Sequence, residues 1–299
     1  MANVDEVRRG TLYGAGAYLL WGLFPLYWPL LAPSGALEIL AHRILWSLLV
    51  VVVILAGLHR WAAVREVARD RRKVSRLALA AVLIAVNWGT YIYGVSSAQV
   101  VETSLGYFVN PLVTVLLAVF VLGERLRPAQ WLALGVAAVA VVVLTVENGH
   151  PPWLALILAC SFGTYGLLKK TAGVRAVEGL AVETAVLAPV AALYLLALGS
   201  RGSFTDAGSG HALLLAGAGV VTVIPLLLFG AAAQRVPLVT LGLLQYVTPT
   251  MQFLLGVLLR HEPLGLAKLL GFTLVWVALA VFTLDLVAHG RRNAVPELV

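Results

Sequence analysis

The 299-residue sequence is 61% apolar and 12% charged, with a formal net charge of +7. A soluble globular chain lies nearer about 45–50% and 25%, so the two soluble domains that this length would allow are excluded: they would expose apolar patches that drive aggregation. The basic residues fall between long apolar runs, which is the pattern of cytoplasmic loops and not of nucleic-acid binding.

A helical span needs about 20 apolar residues. The apolar runs are too long and continuous for the alternating strands of a barrel. In chain order they predict ten spans, at 11–31, 37–57, 75–94, 104–122, 129–147, 152–168, 180–198, 211–230, 240–259 and 267–286. The first has no small-residue cleavage site and the second follows closely, so a cleaved signal is not expected. Pro25 lies within the first span. The second carries Glu38 and His42 on one face, one turn apart, with Arg43 some 100° away. An arginine roughly 9 Å inside a span has to find partners or a pathway. The loop that follows holds Arg60, Arg65, Arg69, Arg71, Arg72, Lys73 and Arg76. It suits a short surface helix on anionic membrane lipid, although setting topology alone would explain it.

The third span brings Asn87, Trp88 and Tyr91, and the fourth brings Tyr107, Asn110 and Pro111. At their expected depths Arg43, Asn87 and Asn110 can converge, and aromatic walls with a few polar groups suit an amphipathic organic ligand. Structural readings stand beside this one: Arg43 paired with Glu102 or Glu38, and the two asparagines as helix–helix hydrogen bonds. The second half offers Glu183 near the inner end of the seventh span, Pro225, Gln245, Tyr246 and Pro249. Glu38 and Glu183 are candidate gating or coupling groups. Pro25, Pro111, Pro225 and Pro249 are candidate bends. Glu124 and Glu262 read as helix-end anchors. Gly14, Gly16, Gly22, Gly217, Gly219 and Gly271 suit close helix packing.

With the N-terminus inside, 17 of the 21 lysines and arginines fall in inner segments and three (Arg201, Arg260 and Lys268) in outer ones, while Arg43 lies in a span. That asymmetry predicts both termini in the cytoplasm. The halves also echo each other. Glu38-x-Leu40-Ala41-x-Arg43 matches Glu178-x-Leu180-Ala181-x-Glu183 at an offset of 140, and Pro111 and Glu124 match Pro249 and Glu262 at an offset of 138. The expected fold is therefore all-α, ten transmembrane helices in two inverted five-helix repeats, 1–147 and 148–290, followed by a disordered tail, 291–299. No phosphate-binding loop, metal-ligand spacing or nucleophile elbow occurs, so no cofactor and no enzymatic activity are expected. Cys160 is the sole cysteine and rules out an internal disulfide.

Several stretches carry a likeness: Trp21-Gly22 with Pro25, Glu38-Ile39-Leu40-Ala41-His42-Arg43, Asn87-Trp88, Glu102 through Leu112, Gly123-Glu124-Arg125, Gly163-x-Tyr165-Gly166-Leu167, and Gln245-Tyr246 with Pro249-Thr250. On these the chain resembles the RarD family of the drug/metabolite transporter superfamily, the EamA-domain transporters. It departs at His261, where the family pattern has glycine. The resemblance implies a secondary transporter in a bacterial inner membrane, moving a small organic solute such as an amino-acid-like metabolite or an amphipathic drug. The pathway residues expected are Arg43, His42, Asn87, Trp88, Tyr91, Tyr107, Asn110, Gln245 and Tyr246. Export by alternating access with protons as coupling ion is the reading adopted. A non-transporting structural or partner-binding membrane protein is the rival, and assembly as monomer or homodimer stays open.

Overall fold

The structure, a computed structural model, describes residues 4–96, 100–148 and 153–260, and singly 270, 273, 274, 276, 277, 280, 281 and 284. Glu262, His261, Gly271 and the 291–299 tail lie outside the described residues, as does the side chain of Glu102. Regular structure among the described residues is helical: α1 (Val4–Gly22), α2 (Phe24–Tyr27), α3 (Ala36–Gly57), α4 (Trp61–Arg69), α5 (Arg71–Ser96), α6 (Val100–Leu122), α7 (Pro128–Asn148), α8 (Trp153–Thr171), α9 (Ala176–Leu198), α10 (Ser203–Asp206), α11 (Ser209–Ala233), α12 (Leu238–Leu244) and α13 (Val247–Arg260).

The expected ten-span count is corrected. Among the described residues four helices are long and apolar enough to cross a membrane: Ala36–Gly57, Arg71–Gly94, Ala176–Arg201 and Ser209–Ala233. The physical reasons are local. The predicted span 11–31 stops at Gly22; the chain then runs through α2, with a proline in its first turn, into a 3₁₀ turn at Trp28–Leu31. The predicted span 240–259 is cut at Gln245 and Tyr246 into helices of 7 and 14 residues. The fourth forms α6, 23 residues long, several of whose side chains lie outside the described set. In the sixth, α8 dilutes its apolar run with Gly163, Gly166, Lys169 and Lys170. The fifth forms α7, several of whose side chains lie outside the described set, and the tenth lies largely outside it.

Packing joins the front of the chain to the back. Helix α1 lies on α11 and α13, α3 on α9 and α11, α5 on α8 and α9, and α6 on α8 and α12. Exchanging α1 with α8, α3 with α9, α5 with α11, and α6 with α12 and α13 maps this pattern onto itself. The core between them holds Tyr18, Val51, Leu55, Tyr165, Phe229 and Leu241. Gly219 lets α11 approach α3 closely, since a Cβ there would sit 2.5 Å from the Trp46 carbonyl carbon.

One end of the bundle gathers the basic loops. Arg235 Nε donates to Glu6 at 2.9 Å, Arg60 Nη2 lies 2.7 Å from Glu178, and Arg76 donates to the Thr171 carbonyl. Helix α4 forms there and buries Val67 against Leu77, Ala172 and Val174. Asp70 caps α5: its Oδ1 accepts from the amides of Arg72 and Lys73, and the Lys73 amide in particular holds its carboxyl below the usual range. Glu124 caps α12 across the bundle, accepting from the amides of Leu238 and Val239 at 2.8 and 2.9 Å.

Candidate functional site

A cavity of about 280 Å³ opens where α1, α2, α3, α5, α6, α8 and the α12–α13 break meet, so both halves of the chain line it. Its walls are aromatic: Tyr18, Trp21, Phe24, Trp28, Trp88, Tyr91, Tyr107 and Phe162. Its polar groups are Arg43, Asn87, Asn110, Gln245, Thr248 and Gln252. The volume is near the lower end of the range for small-molecule sites, about 300–1,000 Å³.

Arg43 is the one charged residue of this lining and is 7% exposed. Its Nε donates to Thr222 Oγ1 on α11 at 3.0 Å. The guanidinium carbon lies 4.2 Å from the ring centre of Trp88 and 4.7 Å from that of Trp28, with Phe24 at 5.9 Å. Cation–π contacts of this kind contribute about 0.5–2 kcal/mol each. Among the described residues no carboxylate lies within ion-pairing distance of it. Glu38, one of its expected partners, instead accepts from the Ser203 amide and hydroxyl at 2.6 and 3.0 Å.

The other predicted residues separate into groups. Asn87 lines the cavity, while its amide nitrogen donates to the Leu158 carbonyl and Ser161 Oγ and so ties α5 to α8. Asn110 lines it with a buried Oδ1 that has no hydrogen-bond partner. Trp88, Tyr91, Tyr107 and Gln245 also line it, and the rings of Tyr91 and Tyr107 meet edge-on at 6.0 Å. Gln245 stands at the helix break, with Thr114 Oγ1 3.5 Å from its Oε1. His42 and Tyr246 are buried outside the lining. His42 stacks on Phe204 at 4.8 Å, and the Tyr246 hydroxyl is buried without a partner. Pro25 is in the lining, Pro111 and Pro225 lie inside α6 and α11, and Pro249 falls in the first turn of α13 beside the break.

Beyond the cavity, rings close ranks. Trp21, Phe162, Phe229 and Tyr165 pack in edge-to-face, tilted and stacked pairs, with centroids 5.5–5.9 Å apart. Behind them Lys169 Nζ donates to Glu183 Oε1 at 2.6 Å and the Tyr165 hydroxyl donates to Oε2 at 3.3 Å. Lys169 is 4% and Glu183 2% exposed. A smaller void of about 20 Å³ touches Trp88, Thr222 and Glu183, so the pair lies one layer from the Arg43 site. At the opposite end the 32–35 turn meets α10 and α11: Ser34 Oγ bonds Ser203 Oγ and lies 2.8 Å from His211 Nε2.

Sequence reasoning missed Trp28, Thr222 and Lys169. Trp28 lies on the 3₁₀ turn, whose register a continuous-helix reading misplaces. Thr222 is one threonine in an apolar helix and carries no signal. Lys169 beside Lys170 reads as a loop cation, but the structure buries it.

Comparison with known proteins supports a transporter. The family model described as "EamA-like transporter family" matches residues 8–146. The protein RarD of Streptomyces exfoliatus is 56% identical over 295 residues, covering 98% of this chain and 94% of the relative. The uncharacterized transporter YojE of Bacillus subtilis is 42% identical, covering 96% and 98%. A solved crystal structure superposes with a TM-score of 0.71 over 92% of this chain and 97% of that one; at 23% identity it speaks to the fold alone.

Proposed function

The chain belongs to the RarD family of EamA-like transporters and is a multi-pass membrane transporter of small molecules, and from that premise we propose that its solute binds in the Arg43 cavity and crosses by alternating access. The observation that carries this reading is the buried Arg43 guanidinium, held by Thr222 and two tryptophans, beside a cavity and with no carboxylate partner among the described residues. A cation buried for structure alone would be expected to be neutralised by an acid. A sealed, fully paired core is what a purely structural membrane protein would need.

In this reading Arg43, Asn87, Trp88, Tyr91, Tyr107, Asn110 and Gln245 contact the solute, while His42 and Tyr246 support them from behind. Glu38 with Ser34, Ser203 and His211 forms the outer gate, and its bonds join the first half to the second. The Trp21–Phe162–Phe229–Tyr165 cluster forms the inner gate. Glu183 is the coupling group: a carboxylate held by Lys169 and Tyr165 can take up a proton when that pair separates, which suits export against protons. The halves 1–147 and 148–290 rock about the cavity. The helix break at Gln245 and Tyr246 and the prolines near the cavity supply the bends. Both termini lie in the cytoplasm of a bacterial inner membrane.

The test is transport by Arg43→Ala and Arg43→Lys in proteoliposomes, against a labelled panel of amino acids, nucleobases and amphipathic drugs, with the melting profile recorded in parallel. Arg43→Ala should abolish transport without loss of the folded protein, and Arg43→Lys should recover little, because a point charge cannot reproduce the planar guanidinium fork. Wild-type transport by Arg43→Ala would refute the assignment.

A further inference from the structure

The cavity's chemistry defines the solute more narrowly, on the premise that this cavity is the solute site. Three observations bear on it. First, among the described residues the lining holds one formal charge, Arg43, and no acid. Second, Nε is committed to Thr222 and the guanidinium carbon lies over the rings of Trp28 and Trp88 at 4.7 and 4.2 Å. No described residue bonds the terminal nitrogens, so they form the part of the fork left for a ligand and suit the two oxygens of a carboxylate. Third, Asn110 Oδ1 is a buried acceptor with no donor. Leaving such an atom unpaired costs about 1–3 kcal/mol, and a ligand N–H or O–H would remove that cost.

We infer that the cavity selects a monoanionic organic acid with a flat apolar body and one further hydrogen-bond donor. Its carboxylate meets the Arg43 guanidinium, and its N–H or O–H meets Asn110 Oδ1. A cationic solute would face Arg43 with no acid to offset it. A neutral solute would leave the buried guanidinium uncompensated. A dianion such as a phosphate monoester would bring a second charge that no described residue of the lining neutralises. The aromatic walls accept a planar ring system, and about 280 Å³ limits it to less than drug size.

Four probes of matched shape separate these demands: indole-3-acetate (anion with N–H), 1-methylindole-3-acetate (anion without N–H), indole-3-ethanol (neutral) and tryptamine (cation). Each is titrated against the full chain in lipid nanodiscs while the melting midpoint is followed, because a ligand of the folded state raises it. Indole-3-acetate should bind at least about tenfold more tightly than indole-3-ethanol, tryptamine and the methylated acid. Arg43→Gln should erase the preference for acetate over alcohol, and Asn110→Leu the preference for N–H over N-methyl. The wild-type comparison needs no variant, so a misfolded substitution does not spare the inference. Binding of tryptamine or indole-3-ethanol as tight as that of indole-3-acetate overturns the anion class and leaves the cavity as a solute site. A shift by none of the four also overturns it, and loss of transport in Arg43→Ala would then still uphold the solute site.

Discussion

Two cations are buried among the described residues, and their surroundings assign them different work. Arg43 faces a cavity and rests on aromatic faces, whereas Lys169 is neutralised at 2.6 Å by Glu183. Removing one member of a buried pair leaves the other charged and unpaired, at a cost of about 3–5 kcal/mol, whereas replacing both is often near neutral. Lys169→Met should therefore destabilise the protein strongly, and the double variant Lys169→Met with Glu183→Gln should recover most of the loss; melting midpoints of the four proteins complete the cycle. If Glu183 couples transport to protons, the double variant folds yet its transport no longer responds to a pH gradient. Unchanged gradient dependence in a folded double variant would remove Glu183 from the mechanism. The sequence exposed Arg43 because an arginine inside an apolar run stands out. It hid Lys169 because two lysines at a helix end look alike, yet adjacent residues on a helix point about 100° apart. Lys170 turns to the Val236 carbonyl and Glu124, while Lys169 turns inward to α9.

Helix contacts depend on a few positions where backbone meets backbone. At Gly219 an added methyl would lie 2.5 Å from the Trp46 carbonyl carbon and 2.8 Å from its oxygen, and neither can move without shifting α3. Gly219→Ala should cost about 1–3 kcal/mol as overpacking, read as a lower melting midpoint, and should disturb Arg43, because Thr222 follows one turn later on α11. Gly35→Ala, where nothing lies within 4 Å, is the control and should melt near wild type. Glu124→Ala should free the first turn of α12 by removing acceptors from two amides, with a loss of about 1–3 kcal/mol. Helix type and the unbroken long helices were legible in the sequence, because continuous apolar runs leave the backbone no other way to satisfy itself in lipid. The breaks were not. Apolar residues continue through Leu23 and resume on both sides of Gln245, so hydropathy reads one helix where the structure has two. Those interruptions are where Pro25, Trp28 and Gln245 meet the cavity, so the least legible segments are also those that shape the site.

At the scale of the whole molecule, the described helices of the first half lie mainly on those of the second, in a pattern that survives exchange of the halves, and the two ends of the bundle differ in charge. One end holds Arg60, Arg76, Lys170 and Arg235 with the acids Glu6, Glu124 and Glu178. The other holds Ser34, Ser203 and His211 around Glu38. Basic residues are retained on the cytoplasmic side during insertion, so the Arg60–Arg76 end should face inward and the Ser34–His211 end outward. The cavity then lies nearer the outer end, since Arg43 is seven residues into α3, roughly 10 Å at the helical rise. Single cysteines in a Cys160→Ser background test this directly; the replacement is required because Cys160 is itself exposed. Arg69 and Ser209 are exposed at opposite ends and take no part in the bonds described above. Ser209→Cys should react with a membrane-impermeant maleimide in intact cells, and Arg69→Cys only after the membrane is permeabilised. Reaction at position 69 in sealed cells would reverse the orientation. The Ser34–Ser203 contact would then be the inner gate and the Lys169–Glu183 pair would lie on the outer side, so the direction in which protons reach Glu183 would reverse with it.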